Sequence, residues 1–112
     1  MDRITDRDVK DWIDHFLAAI REKYSPEKVL LFGSRARGDH LIDSDVDMII
    51  VSKKFEGVNW LKRIRDVSVL WEGLVPLEPI CYTPKEFEEK KRMIGIVSEA
   101  IKEGVELSFK AH

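Results

Sequence analysis

The chain has 112 residues, of which 44% are hydrophobic and 36% are charged, and its formal net charge is −2. This length predicts one domain over residues 1–112, small for an enzyme that encloses its substrate, and the balanced charge gives no footprint for a nucleic-acid polymer. We expect no signal peptide and no membrane span, and with only one cysteine, Cys81, we expect a cytoplasmic location.

The first predicted elements are an amphipathic helix at about residues 6–23 and a strand at about residues 28–32. Thr5 followed three residues later by Asp8 has the pattern of a capping box at a helix N-terminus. One stripe at helical spacing is apolar, which predicts the face that packs on the core. This stripe comprises Val9, Trp12, Ile13, Phe16, Leu17 and Ile20.

A Gly-Ser turn and an Asp-x-Asp pair lie between two apolar strands. Gly33 and Ser34 follow the first strand, and ten residues separate Ser34 from Asp45 in the printed sequence. A glycine at this point lets the backbone turn sharply and approach a ligand closely. Asp45 and Asp47 open a strand predicted at about residues 46–52, and positions two apart on a strand share a face.

Two like charges on one strand face repel each other, so a divalent cation is the expected partner. Oxygen ligands without cysteine or histidine suit Mg²⁺ or Mn²⁺, and Mg²⁺ commonly completes its shell with substrate phosphates. Arg35 and Arg37 flank the turn and have forked donors for phosphate, although a surface role for each is an equal alternative. The pattern indicates phosphoryl or nucleotidyl transfer. The alternative for the glycine, serine and acids is ordinary turn chemistry, which we accept for Asp39 and Asp43.

The second half of the chain predicts two helices and two strands. A helix at about residues 59–72 has a stripe in which Trp60 and Trp71 are expected to be core residues. An edge strand at about residues 75–82 carries Glu78 as its only acid. A helix at about residues 84–103, with a wide apolar face suggesting a partner, precedes a last strand at about residues 105–109. That face comprises Phe87, Met93, Ile94, Ile96, Val97, Ala100 and Ile101. Together the elements predict an α/β (α+β) fold with a small mixed sheet of about four strands.

The Gly-Ser dipeptide, the ten-residue spacing and the Asp-x-Asp pair resemble the minimal nucleotidyltransferase (MNT) family, which has the nucleotidyltransferase fold of DNA polymerase β. The resemblance implies that Gly33 and Ser34 hold the β- and γ-phosphates of ATP or another NTP, while Asp45 and Asp47 bind two Mg²⁺ ions. It also implies a third metal-binding and catalytic acid on the third strand. Glu78 is the candidate, where the family typically has aspartate, and the alternative is a glutamate at the rim of an edge strand.

The resemblance implies transfer of an NMP, AMP in the first instance, from an NTP to an acceptor hydroxyl. Larger relatives carry a further domain that grips base and acceptor, so we expect a homodimer mate or another protein to complete the acceptor site. In the MNT family that partner is a small helical HEPN protein, which implies an antitoxin that modifies a tyrosine of its toxin. The alternative hypothesis is a binding module without catalysis that neutralises a partner by masking its surface.

Overall fold

The structure, a computed structural model, describes residues 4–38, 44–93, 95, 98, 102 and 104–107. The predicted alternation of helices and strands is confirmed, with a 3₁₀ helix added after the second strand. In chain order the elements are α1 (Asp6–Tyr24), β1 (Lys28–Phe32), α2 (Ser34–Arg37), β2 (Val46–Val51), a 3₁₀ helix (Lys53–Phe55), α3 (Trp60–Ser68), β3 (Leu77–Tyr82), α4 (Pro84–Lys91) and β4 (Val105–Glu106).

The four strands form one mixed sheet in the order β3-β2-β1-β4. β1 pairs antiparallel with β2 and with β4, whereas β2 and β3 are parallel. β3 therefore lies at an edge, where Pro79 costs the sheet no hydrogen bond to a further strand. The predicted α+β class and mixed four-stranded sheet are confirmed.

The two faces of the sheet bury different sets of side chains because successive strand residues point to opposite sides. The face under α1 carries Val29, Met48 and Cys81 in the main core, and the opposite face carries Ile49 in a smaller core with Phe87 of α4. By the same alternation, Asp47 belongs to the face of Ile49. The acids of interest therefore share the side of the sheet opposite α1.

Helix α1 begins as the capping box predicts. The Thr5 hydroxyl accepts from the Asp8 amide at 3.1 Å, and the Asp8 carboxylate accepts from the Thr5 amide at 2.9 Å. Most of the predicted apolar stripe is buried, with Phe16 and Ile20 fully enclosed. Helix α1 therefore follows directly from local sequence signals.

Helix α3 is shorter than predicted, and Trp60 is not a core residue. The helix ends at Ser68, and the indole of Trp60 is 41% exposed, packed against Tyr82 with ring centroids 5.5 Å apart. Trp71 does pack on the core, meeting Phe16 edge to face at 5.6 Å, but it does so from the segment after the helix. The helical period therefore predicted correctly that Trp71 packs on the core, although Trp71 is not part of the helix.

Helix α4 ends at Lys91, before the predicted residue 103, although Ser98 and Lys102, further along the predicted range, are again helical. Gly95 has a φ of 156°, and a glycine inside a helix costs about 1 kcal/mol relative to alanine, so continuation through it is unfavourable. Of the wide apolar face, Ile94, Ile96, Val97, Ala100 and Ile101 lie outside the described residues, as do Ser108 and Phe109 of the predicted last strand. The partner that this apolar face suggests therefore stays a prediction.

Within the described part of the chain, no helix combines the length and the apolar character that crossing a membrane requires.

Candidate active site

The Gly-Ser turn is a single helical turn directly after β1. The Ala36 and Arg37 amides donate to the Gly33 carbonyl at 3.1 and 3.2 Å, and the Gly38 amide donates to the Ser34 carbonyl at 2.9 Å. Gly33 has φ 76° and ψ −157°, a backbone region that is essentially restricted to glycine. The sharp turn out of β1 therefore requires a glycine at residue 33.

Gly33 lies in direct contact with Asp47. A Cβ atom added to Gly33 would collide with an Asp47 carboxylate oxygen, and Phe32 is the residue opposite Asp47 in the β1–β2 register. The absence of a side chain at residue 33 thus makes room for the carboxylate. The turn and the acid pair, ten residues apart in sequence, meet in the structure.

Asp47 and Glu78 lie side by side on neighbouring strands. They are paired residues in the parallel register of β2 and β3, and their side chains share a hydrogen bond. The pKa of the Asp47 carboxyl is raised to about 6, and burial is the largest cause. The hydrogen bond with Glu78 and the charges of Glu78 and Asp45 raise it as well, whereas the Arg37 charge lowers it. Ionised Asp47 therefore faces the repulsion of neighbouring negative charge.

Asp45 lies one residue before β2, close enough for its charge to act on Asp47. The three acids therefore belong to one neighbourhood at the start of β2 and β3. Among the described residues, no three Asp, Glu, His or Cys side chains are already grouped as ligands of a metal ion.

The donor set fits a magnesium ion that arrives with its substrate. Asp47 and Glu78 are adjacent hard oxygen donors, and a divalent cation would offset the repulsion between them. Mg²⁺ is typically bound by one or two carboxylates together with substrate phosphates, so a complete cage of protein ligands is not required.

Of the two alternatives predicted for Arg35, the surface role does not hold. Its side chain is only 5% exposed, and Nε and Nη2 donate to the Ser44 carbonyl at 3.0 and 2.8 Å. Its Nη1 lies 3.8 Å from the Asp6 carboxylate. The guanidinium therefore ties the turn to the backbone just before Asp45. A phosphate contact by this residue stays a prediction.

The phosphate contacts predicted for Arg37 and Ser34 stay predictions. Arg37 is exposed, and its charge acts on Asp47, which places a cation on the side of the acids. Ser34 is half-buried in the first position of α2, beside Gly33. Asp39 and Asp43 lie outside the described residues.

The contact between Arg35 and Ser44 was missed by sequence reasoning. A buried arginine that donates to a backbone carbonyl has no sequence signature, because its acceptor is present at every residue. The pairing of Asp47 with Glu78 was likewise not specified, although both were candidate ligands. Only the register of β2 and β3 brings these two side chains together.

Known proteins with similar sequences or structures were found by three comparisons. The family described as nucleotidyltransferase domain matches residues 13–103. A Methanocaldococcus jannaschii protein named "Putative protein adenylyltransferase MJ0604" is 46% identical over 41 residues, covering 35% of this chain and 41% of that protein. A second from that organism, "Putative protein adenylyltransferase MJ1305", is 27% identical over 84 residues, covering 70% of this chain and 57% of that protein.

A solved structure has the same fold. The crystal structure of a "putative nucleotidyltransferase" from Sulfolobus solfataricus has a TM-score of 0.63 and 26% sequence identity, and the match covers 88% of this chain and 80% of that one. The chain spans about half the length of the two curated relatives that it matches, 41% of one and 57% of the other.

Proposed function

Because the chain belongs to the nucleotidyltransferase domain family, we propose that it transfers AMP from ATP to a hydroxyl group of another protein in a magnesium-dependent reaction. The observation that carries this proposal is the contact of Gly33 with Asp47, which in turn is hydrogen bonded to Glu78. A turn that suits phosphate thus lies against acids that suit a cation. The choice of AMP and of a protein acceptor is supported by the names of the two relatives, protein adenylyltransferases.

Each residue has a distinct part in the proposed reaction. Gly33 and Ser34 bind the β- and γ-phosphates through the backbone of the turn and the serine hydroxyl. Asp45 and Asp47 hold Mg²⁺, with Mn²⁺ as a substitute, and Glu78 completes the acid group beside the acceptor. The metal supplies charge neutralisation at the α-phosphate and the departing phosphates.

The transfer exchanges one phosphorus–oxygen bond for another. The acceptor hydroxyl oxygen forms a bond to the α-phosphorus, and the bond from that phosphorus to the bridging oxygen of the β-phosphate breaks. The electron pair of the broken bond leaves with pyrophosphate. The hydroxyl proton passes to the Glu78 carboxylate, which the β2–β3 register places beside Asp47. Arg37 provides positive charge for the phosphates.

We further propose that the acceptor is a tyrosine of a small helical HEPN-type partner and that this chain is the antitoxin of the pair. The support is the resemblance of the Gly33–Asp47 motif to the MNT family. In this proposal the chain supplies the phosphate and metal contacts, and the partner or a second copy supplies the grip on the acceptor.

The test is transfer of label from ATP to protein in a cell extract containing the purified chain and Mg²⁺. We expect label from the α-phosphate to appear on an acceptor and label from the γ-phosphate to leave as pyrophosphate. Changing Asp45→Asn together with Asp47→Asn should lower transfer at least ~100-fold.

The matched control is Asp66→Asn, which removes an acid that pairs with Lys62 at 2.6 Å on the surface of α3. This variant should transfer as well as the wild type. Undiminished transfer by the Asp45/Asp47 variant would refute the proposed site. Tight binding of a partner without transfer of α-label by the wild type would favour the non-catalytic binding module.

A further inference from the structure

Two nitrogens of the Arg35 guanidinium donate hydrogen bonds to the same backbone oxygen. Nε and Nη2 both donate to the Ser44 carbonyl, at 3.0 and 2.8 Å, and the side chain is 5% exposed. Ser44 immediately precedes Asp45, and Arg35 immediately follows Ser34. This contact is therefore a short bridge between the phosphate turn and the residue that leads into the acid pair.

The guanidinium acts from the side of the sheet opposite the acids. Together with Val9 of α1 and Leu31 of β1, Arg35 lines a groove of about 480 Å³. Leu31 packs with the core under α1, whereas Asp47 belongs to the other face by strand alternation. Its Nη1 also faces Asp6, at the N-terminus of α1, at 3.8 Å. The Arg35 side chain therefore lies on the α1 side of the sheet, and Asp47 lies on the opposite side.

We propose that Arg35 is a positioning residue, which holds the Ser44 carbonyl and thereby fixes Asp45 and Asp47 relative to the Gly33 turn. This inference rests on the proposed function, and it assigns Arg35 a role different from the phosphate contact predicted from sequence. Support of metal-binding side chains by such outer contacts typically changes metal affinity by 10–100-fold. The contact with the substrate phosphates is assigned to Arg37 instead.

A lysine cannot replace Arg35 in this role. Its ammonium keeps the charge but is a compact group on a flexible stem, and it lacks the planar fork that reaches one oxygen with two nitrogens. Arg35→Lys therefore separates position from charge. A purely electrostatic effect would leave metal affinity unchanged in this variant, whereas loss of positioning would weaken it.

The first test is titration of the purified protein with Mn²⁺ alone, measuring free Mn²⁺ by electron paramagnetic resonance. We expect Arg35→Lys to bind Mn²⁺ at least ~10-fold more weakly than the wild type. Arg37→Gln removes a cation that acts on Asp47 and should bind Mn²⁺ as tightly or more tightly. Arg65→Lys, an equivalent change at an exposed residue of α3, should match the wild type. Unchanged Mn²⁺ affinity in Arg35→Lys would overturn the proposal.

The second test uses the wild-type chain and holds even if Arg35→Lys does not fold. Nuclear magnetic resonance of the arginine Nε–H groups should show Arg35 already protected from exchange in the free protein, because its Nε donates to Ser44. Addition of Mg²⁺ and α,β-methylene ATP should shift the Arg37 signal more than that of Arg35. An Arg35 Nε–H that exchanges freely and gains protection only with nucleotide would identify a phosphate ligand and overturn the proposal.

Kinetics separate the two arginines once transfer is measured. Arg35→Lys should raise the Mg²⁺ concentration for half-maximal rate and leave the KM for ATP at saturating Mg²⁺ unchanged, whereas Arg37→Gln should raise that KM. The opposite assignment would overturn the positioning role. If the wild type transfers no AMP, the proposed function fails, but the Mn²⁺ and exchange measurements still decide whether Arg35 positions the acids.

Discussion

Gly33 combines two requirements that no other residue type meets, an unusual backbone conformation and space for a neighbouring carboxylate. Its φ of 76° with ψ −157° is strained for any side chain, and a Cβ would strike the Asp47 carboxylate. We predict that Gly33→Ala lowers AMP transfer at least ~100-fold, since displacing a reacting group by about 1 Å has this effect. It should also cost about 1–3 kcal/mol of unfolding free energy. Transfer assays and urea unfolding measure the two effects.

Gly57 provides the matched control for that substitution. Its φ is 72°, close to that of Gly33, but a Cβ there meets nothing within 4 Å. Gly57→Ala should therefore lose stability, by about 1 kcal/mol or somewhat more, and keep full transfer activity. Equal loss of transfer in both alanine variants would show that backbone strain, and not the contact with Asp47, explains the effect.

Asp47 makes the free protein less stable as the pH rises. Its pKa of about 6 in the folded protein lies above the value of about 3.9 for an unfolded aspartate, so between these values the folded state binds more protons. Its contribution to stability is fully present below pH ~4 and is lost as the pH rises through about 6.

We therefore predict that Asp47→Asn raises the Tm of the metal-free protein at pH 8 and that this gain shrinks toward pH 4. The asparagine amide can donate to Glu78 without carrying charge, which removes the repulsion between the two carboxylates. Thermal unfolding at both pH values, in the presence of a chelator, measures the difference. The same change of Tm at pH 4 and at pH 8 would contradict the assigned cause.

Among the elements, α3, β3 and α4 are joined by one buried arginine. Arg63 of α3 is 6% exposed and pairs with Glu86 of α4 at 2.6 Å. It also donates to the Val58 carbonyl at 2.9 Å and to the Cys81 carbonyl of β3 at 3.1 Å. The interaction with Arg63 lowers the pKa of Glu86. This residue therefore helps to hold β3, the strand that carries Glu78, to helices α3 and α4.

Removing this crosslink should destabilise the domain. We predict that Arg63→Met costs about 2–4 kcal/mol, because two carbonyls and a carboxylate lose their donor. Lys62→Met is the control on the same helix, since Lys62 forms an exposed pair with Asp66, and such pairs contribute little to stability. Urea unfolding compares the two variants. Similar costs for both would show that Arg63 behaves as an ordinary surface residue.

The elements with strong local signals could be predicted from the sequence, and those set by distant contacts could not. The capping box at Thr5 fixes the start of α1, and the Gly33 turn with its acid pair identifies the candidate site. The end of α4 at Lys91 was not predicted, because the apolar pattern continues past it. Helical periodicity predicts Trp60 in the core and a charged residue such as Arg63 at the surface. In the structure Trp60 is exposed and Arg63 is buried. Periodicity ranks positions by polarity and carries no information on their partners in space.

At the scale of the whole molecule, the sheet carries helices α1 and α3 on one face and the candidate site on the other. The acids lie at one end of β2 and β3, beside the apolar residues Phe32 and Ile80, which are only partly buried. In the proposed reaction this sheet supplies both the phosphate and the metal contacts, so we expect nucleotide binding to depend strongly on the metal.

Calorimetric titration with α,β-methylene ATP tests this account most directly, because it needs no acceptor and the bond that would break in transfer cannot be cleaved. We predict binding to the wild type in the presence of Mg²⁺ and loss of that binding with a chelator. The variant with both Asp45→Asn and Asp47→Asn should lose the metal-dependent part. Equal binding by wild type and variant, or binding that ignores Mg²⁺, would contradict the claim that the Gly33 turn and these acids form one nucleotide site.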